Sequence, residues 1–556
     1  MKITKRLLIL LLIILILFHI INNYIILKND TVPIRNEPVI HYLNSLRLHS
    51  MRLLDKIIIQ EFDYPPLFYY SSLPLYLIFG TGQDTAPMTN LFYLIILIFS
   101  VYGIGKQLHS SLAGLLSSFI VSTFIPIFGF SRLYMLEFAL TALVALSIYL
   151  LLKTEGFSNK SYSILFGISC GLGMLIKWNF SFFIIGPLLF YLFQNVLLLK
   201  IQKFNNNRLF KRKIINICLS ILVLILVTSC WYPFNTDKIL RRGHIFSGSY
   251  YTSDSEERYI LKPEYRADMS YSLKFFVFMF YIKELYYHQI GYLYFIFFLL
   301  GFFYFLFISR KKYLILFFGI IIPYFVCTLV YAFSTLGEQR FIMPFLPLFA
   351  IIIALLISNL KNVLAKKIFI LIILFIGFYQ FFALSYGNNL PFINEDLFDT
   401  SQRHVYVLMK SDSDKWNEKE ITQELVKLLE DFSHKQVNIA FFNDFGVFDI
   451  RDFDLNIELY FKENLTEKGI LINVFHPLGE CGMGSCLTAY TPYLDLVLKS
   501  QIIITDNSTG SYSSENPKNK ALYSMKKAFN DNSHLFELVK KFELPEDNII
   551  YIYKRK

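Results

Sequence analysis

The chain has 556 residues, 55% of them hydrophobic, with 58 phenylalanines and only 17% charged residues. That composition excludes an ordinary soluble domain and fits a multi-span membrane protein. The formal net charge of +11 does not indicate nucleic acid, because the bases lie in short clusters between apolar runs. Lys200, Lys203, Arg208, Lys211, Arg212 and Lys213 form one such cluster, the pattern of a loop held at a cytoplasmic face.

In chain order, Lys2, Lys5 and Arg6 precede a Leu/Ile run that continues to about Leu27. The run approaches the roughly 20 residues a spanning helix needs and no small-residue cleavage site follows it, so it predicts an uncleaved first span. Residues 29–88 then read as a polar outer loop holding Asn36-Glu37-Pro38 and Asp63-Tyr64-Pro65-Pro66-Leu67. Glu37 is the candidate acid or base of this loop. His41 follows one helical turn later as a structural partner, and Tyr64-Pro65-Pro66 predicts a rigid, extended entry to the next helix.

Further apolar runs begin near residues 89, 111, 134, 161, 180, 213, 289, 312, 341 and 367. Against an apolar thickness of about 30 Å they predict about eleven transmembrane helices. Alternate loops carry Lys106; Lys153 and Lys160; the 200–213 cluster; Arg310, Lys311 and Lys312; and Lys361, Lys366 and Lys367, with Glu155 as their one acid. The positive-inside rule puts these loops and the N-terminus in the cytoplasm and the C-terminus outside.

The outer segments are then residues 29–88, the 131–137 turn, the long loop 231–288, the 334–340 turn and the Lys177-Trp178-Asn179 junction. One face thus receives Glu37, Arg132, Glu137, Lys177 and Arg340. Charges at a membrane edge are costly and usually functional, so this gathering is the main functional signal. Arg340 reads either as a functional charge of this face or as an arginine snorkelling from a helix end. Lys177 has the same two readings. Glu137 can pair with Arg132, position an acceptor, or hold a divalent metal ion together with Glu37. Trp178 and Trp231 read as interfacial anchors.

After about Tyr386 the composition becomes that of a soluble domain, so the predicted division is a transmembrane domain, 1–386, and an extracytoplasmic α/β domain, 387–556. Residues 417–432 place Ile421, Leu425 and Leu428 at helical spacing, while 437–442, 470–475, 501–505 and 549–553 read as short buried strands. The alternation predicts a largely parallel sheet. Cys170, Cys218, Cys230 and Cys327 fall in or beside apolar runs, where a thiol acts as a small hydrophobe. Cys481 and Cys486 lie in polar sequence, and the short flexible segment between them predicts a local disulfide in an oxidising compartment.

Several of these residues together resemble a family. Pro33-x-x-x-Glu37-x-x-x-His41, Tyr64-Pro65-Pro66-Leu67, Ser131-Arg132 with Glu137, Gly171-Leu172-Gly173-x-Leu175-x-Lys177, Trp231-Tyr232-Pro233 and Arg340-x-x-x-Pro344-x-x-Pro347 look like the C-type (GT-C) membrane glycosyltransferases. The similar branch is that of the protein mannosyltransferases and lipid A aminoarabinose transferases, over roughly residues 1–385. The resemblance implies transfer of a hexose or pentose from a polyprenyl-phosphate carrier to a lipid, glycan or protein acceptor, at the outer face of a bacterial plasma membrane. It aligns Glu37 with the family's catalytic acid, usually Asp, and puts Tyr64 where the aminoarabinose branch has lysine. Such a transfer needs a base for the acceptor hydroxyl and cations for the phosphate, roles that fall to Glu37 and to Arg340 with Lys177. The alternatives are a lipid or glycan transporter or flippase, whose expected midplane charges and repeated halves are not seen, and a non-catalytic scaffold.

Overall fold

The computed structural model describes residues 4–29, 37–51, 62, 64–197, 207–236, 238–239, 281–283, 285–307, 313–334, 339–386, 418–432, 436–442, 471–475, 500–507, 526–527, 529–544 and 549–556. The chain divides into two compact units, Met1–Asn29 with Asn44–Met409, and Asp30–Leu43 with Lys410–Lys556. The sequence division at 386/387 differs twice: it falls before the Met409 boundary and it leaves Asp30–Leu43 with the membrane domain.

In the first unit, α1 (Lys5–Asn29), α4 (Asn90–Leu108), α5 (Ser111–Ser122), α7 (Leu136–Lys153), α8 (Lys160–Ile176) and α9 (Phe180–Leu192) form where apolar runs were predicted. So do α10 (Asn207–Thr228), α11 (Tyr292–Phe307), α12 (Leu314–Ser334), α13 (Leu346–Ser358) and α14 (Val363–Tyr386). Among the described residues five helical segments are long and apolar enough to cross a membrane, and shorter apolar helices accompany them. The chain is an integral membrane protein.

Local chemistry sets the ends. Ser110 and Asn159 cap α5 and α8, accepting hydrogen bonds from the backbone N–H of Ala113 and Tyr162. Lys213, expected in a cytoplasmic loop, lies instead within α10, and its Nζ donates to the carbonyl of Asn195 at 2.8 Å.

The 29–88 segment is not simply a loop. It contains α2 (Glu37–Ser50) and α3 (Leu67–Phe79), and a short α6 (Ile125–Phe130) precedes α7. Too brief to span, α3 nonetheless exposes Leu77, Ile78 and Phe79. It is tied to α2 and α4 by Ser45 Oγ with Tyr76 Oη at 2.6 Å and by Ser71 Oγ with Tyr93 Oη at 2.7 Å. Short apolar segments of this length cannot be distinguished from buried loops by hydropathy alone.

Helices α7 and α13 occupy the interior, with α4, α5 and α8 packed around them, whereas α1 and α14 turn apolar side chains such as Leu364 and Phe375 outward. Outward apolar side chains are the expected surface where the solvent is hydrocarbon. Small residues permit the closest crossings. A Cβ on Gly167 would lie 2.3 Å from the carbonyl oxygen of Ser220, so α8 meets α10 through backbone.

The second unit contains α15 (Glu418–Glu430) and a five-stranded sheet of β1 (Gln436–Phe442), β2 (Leu471–Phe475), β3 (Ile502–Asp506), β4 (Phe536–Glu543) and β5 (Ile549–Arg555). Strand order is β2-β1-β3-β5-β4. The sheet is mixed rather than largely parallel: β1 pairs with β2 and β3 in parallel, while β5 runs antiparallel to β3 and β4. Ile421, Leu425 and Leu429 of α15 pack on Val437, Ile439, Ile504 and Ile552, and the opposite face gathers Ala440, Ile503, Phe529 and Phe536. Strand β4 is absent from the sequence reading because Lys540-Lys541 interrupts its apolar alternation. It is an edge strand carrying charge, which blunts pairing with other chains. Cys481 and Cys486 lie outside the described residues, as does the 231–288 loop for most of its length.

The α8–α10 crossing yields a direct stability test. Gly167→Val forces the two backbones apart and is expected to destabilise the purified protein by about 1–3 kcal/mol, read as a lower midpoint of thermal unfolding in detergent. An unchanged midpoint would show that the helices do not meet at this glycine.

Candidate functional site

The site begins at the N-terminal turn of α7, where backbone N–H groups favour a carboxylate. Glu137 stands there, 2% exposed. Two cations reach it from other elements. Lys177 Nζ donates to Glu137 Oε1 at 2.7 Å, and Arg340 Nε stands 3.7 Å from the same oxygen, an electrostatic contact beyond hydrogen-bond length.

Lys177 is delivered by the end of α8, whose last turn it leaves in an extended conformation. The Gly171-Leu172-Gly173 motif acts by packing: a Cβ on Gly173 would lie 2.2 Å from the Phe180 ring, and one on Gly171 would strike Val227. Glycine thereby lets the chain turn sharply from α8 into α9. Arg340 comes from a 3-10 turn, Gln339–Phe345, ahead of α13.

Aromatic faces complete the cluster. Lys177 Nζ lies 5.3 Å from the centroid of Tyr64 and 5.6 Å from that of Phe341, and the Arg340 guanidinium lies 5.4 Å from Phe341. Ring faces attract cations most strongly where water is scarce. Below them Tyr232 Oη donates to the Met174 carbonyl at 2.9 Å, and Trp231 packs edge-on to Tyr232 at 3% exposure. Trp231 is therefore a buried strut, not the interfacial anchor expected. Trp178 is half-buried against Phe182.

Arg132 takes no part in this cluster. Its Nε donates to Asn23 Oδ1 at 3.1 Å and its Nη2 to Ser385 Oγ at 2.9 Å, with Phe128 and Phe381 each 5.3 Å away. The expected Arg132–Glu137 pair is thus replaced. Arg132 stitches the 131–137 turn to α1 and α14, and Asn90 Nδ2 supports that turn by donating to the Phe130 carbonyl at 3.0 Å.

Arg340 is 7% exposed and engaged with Glu137, so it does not snorkel from a helix end. A carboxylate held by two cations is also a poor ligand for a divalent ion, since the metal would enter beside like charge. Among the described residues no group of three or more His, Cys, Asp or Glu is placed to hold a metal.

Glu37 opens α2 and His41 follows one turn later, fully buried. Both belong to the second compact unit. The structure thus brings together Tyr64, Glu137, Lys177 and Arg340, and sequence reasoning had missed Phe341, Asn23, Ser385 and Asn90. Asn22-Asn23 inside an apolar run was the available signal, because a polar group in hydrocarbon needs a partner.

Three comparisons bear on identity. Residues 63–232 match a family model described as dolichyl-phosphate-mannose-protein mannosyltransferase. No curated protein sequence matches the chain. The fold resembles that of ArnT from Cupriavidus metallidurans in the apo state, with a TM-score of 0.54, 10% identity and 97% of each chain covered. It also resembles the same enzyme bound to undecaprenyl phosphate, with a TM-score of 0.50, 11% identity and 97% of each chain covered. The apo oligosaccharyltransferase of Archaeoglobus fulgidus matches with a TM-score of 0.56 and 13% identity over 99% of this chain and 74% of that one. The chain thus shares its fold with ArnT and with the archaeal oligosaccharyltransferase. The likeness to the mannosyltransferase family model is carried by residues 63–232 of the chain.

Coupling within the cluster can be measured by a double-mutant cycle. Lys177→Met strips Glu137 of its hydrogen-bonded cation and is expected to cost roughly 3–5 kcal/mol of stability. Adding Glu137→Gln should recover much of that loss. Strictly additive losses in thermal unfolding would mean that the two side chains do not interact.

Proposed function

We propose that the protein transfers a sugar from a polyprenyl-phosphate-linked donor to a lipid, glycan or protein acceptor at the extracytoplasmic membrane face. The observation that carries this reading is the convergence of Lys177 and Arg340 on Glu137. A lysine offers phosphate a point charge and an arginine a two-pronged fork, so the pair suits an oxyanion such as phosphate. The mannosyltransferase family match and the fold shared with a transferase bound to undecaprenyl phosphate support the same donor class.

In this mechanism Glu37 takes the proton of the acceptor hydroxyl as its oxygen attacks the anomeric carbon. The bond from that carbon to the phosphate oxygen breaks, and the electron pair leaves with the polyprenyl phosphate. Arg340, with its planar fork, and Lys177, as a point charge, stabilise the negative charge that grows on the leaving group. Glu137 acts as a positioning residue that holds both cations, and Tyr64 and Phe341 fix the Lys177 ammonium over their rings. His41 supports Glu37 from the next turn of α2. On this reading the N-terminus is cytoplasmic and the 387–556 domain extracytoplasmic, in the plasma membrane of a bacterium, an assignment supported by the positive-inside pattern of the loops.

Glu37→Gln keeps size but cannot take a proton. It is expected to lower turnover of lipid-linked sugar by roughly 10²- to 10⁴-fold while carrier binding stays near wild type. Near-normal turnover would remove Glu37 from the mechanism. Arg340→Ala is expected to weaken binding of a polyprenyl phosphate by roughly 10- to 100-fold, and Arg340→Lys by less, because lysine keeps charge and loses the fork. Wild-type affinity in both variants would overturn the phosphate assignment.

A further inference from the structure

A groove of about 590 Å³ runs between α4 and α7, away from the Glu137 cluster. Ile96, Phe99, Leu146 and Tyr149 give it an apolar lining. The ring of Tyr149 can lie flat there because position 103 is glycine: a Cβ on Gly103 would sit 2.3 Å from it. At one end stand Lys106 and Lys153, each in the last turn of its helix. Lys106 Nζ lies 5.6 Å from the Tyr102 ring centroid, and Lys153 Nζ lies 5.9 Å from those of Tyr149 and Tyr162.

We propose that this groove binds an anionic phospholipid of the cytoplasmic leaflet, its acyl chain lying on Phe99 and Leu146 and its phosphate held by Lys106 and Lys153. Three features select that occupant. The walls are apolar and open to the hydrocarbon surface, where the available solute is lipid. From Ile96 to Lys106 the groove spans ten helical rises, which is about 15 Å and matches one leaflet of a core roughly 30 Å thick. The end at the helix termini carries two cations, and basic pockets between membrane helices on the cytoplasmic side suit anionic headgroups.

The site is distinct from the one assigned to the donor. Glu137 and Lys153 mark opposite ends of α7, 16 residues apart, or about 24 Å along the axis. The groove does not depend on the transferase reading, since binding is measured without a sugar donor.

Native mass spectrometry of the full-length protein, purified in detergent and mixed with phosphatidylglycerol, phosphatidylcholine, a polyprenyl phosphate or inorganic phosphate, tests the proposal. Phosphatidylglycerol is expected to bind with one-to-one stoichiometry and phosphatidylcholine far more weakly. The double variant Lys106→Gln/Lys153→Gln should lower phosphatidylglycerol affinity by roughly 30-fold. Lys106→Arg/Lys153→Arg should restore it, which separates charge from folding. Leu146→Trp, which fills the groove and leaves both lysines, should abolish binding, whereas Lys361→Gln/Lys366→Gln should leave it intact. Unchanged affinity in the glutamine double variant or in Leu146→Trp overturns the proposal. Displacement of the phospholipid by polyprenyl phosphate or by inorganic phosphate also overturns it.

Discussion

A charge buried in protein has no water to turn to, so it must find its partner within the chain. The Lys177–Glu137–Arg340 cluster meets this constraint with one carboxylate and two cations from three separate elements. Much of the surrounding structure follows from it. The start of α7, the end of α8 and the turn before α13 must converge, and the glycines at 171 and 173 and the struts Trp231 and Tyr232 serve that convergence. Such a cluster is weak evidence of stability, because desolvation offsets most of its attraction. It makes better sense as a set of prepositioned charges.

Arg132 meets the same constraint in a structural way. It spends its donors on Asn23 of α1 and Ser385 of α14, helices at opposite ends of the membrane domain's sequence. Asn23 in turn donates to Ser131 Oγ at 2.9 Å, so the turn that leads to Glu137 is fixed from both sides. The order of α7, and hence the place of its carboxylate, depends on residues more than 100 positions away in the chain.

The second unit follows the rules of a water-soluble core. Its α15 buries one apolar stripe on the sheet and exposes the other face, where Glu424 pairs with Lys427 and Lys540. The hydrogen bond from Lys540 holds the Glu424 carboxyl below its ordinary range. That small contribution is present above the unfolded carboxylate pKa and is lost as pH falls through the lowered value.

Hydropathy and charge placement by themselves determined that this is a polytopic membrane protein with a small α/β unit, and they located its longer apolar helices to within about six residues, while α2, α3 and α6 escaped them. They could do so because apolar run length and loop charge are local quantities, set by the bilayer's thickness and potential. They also singled out Glu137, Lys177 and Arg340, since a charge at a membrane edge stands out against apolar sequence. Pairing was decided only by tertiary structure. Glu137 and Arg132 are close in sequence yet take different partners, because α8 and the turn before α13 approach one of them and α1 and α14 the other. The direction of β5 and the existence of β4 were likewise tertiary outcomes: an edge strand needs only one buried face and a neighbour, and Lys540-Lys541 conceals both in a linear reading.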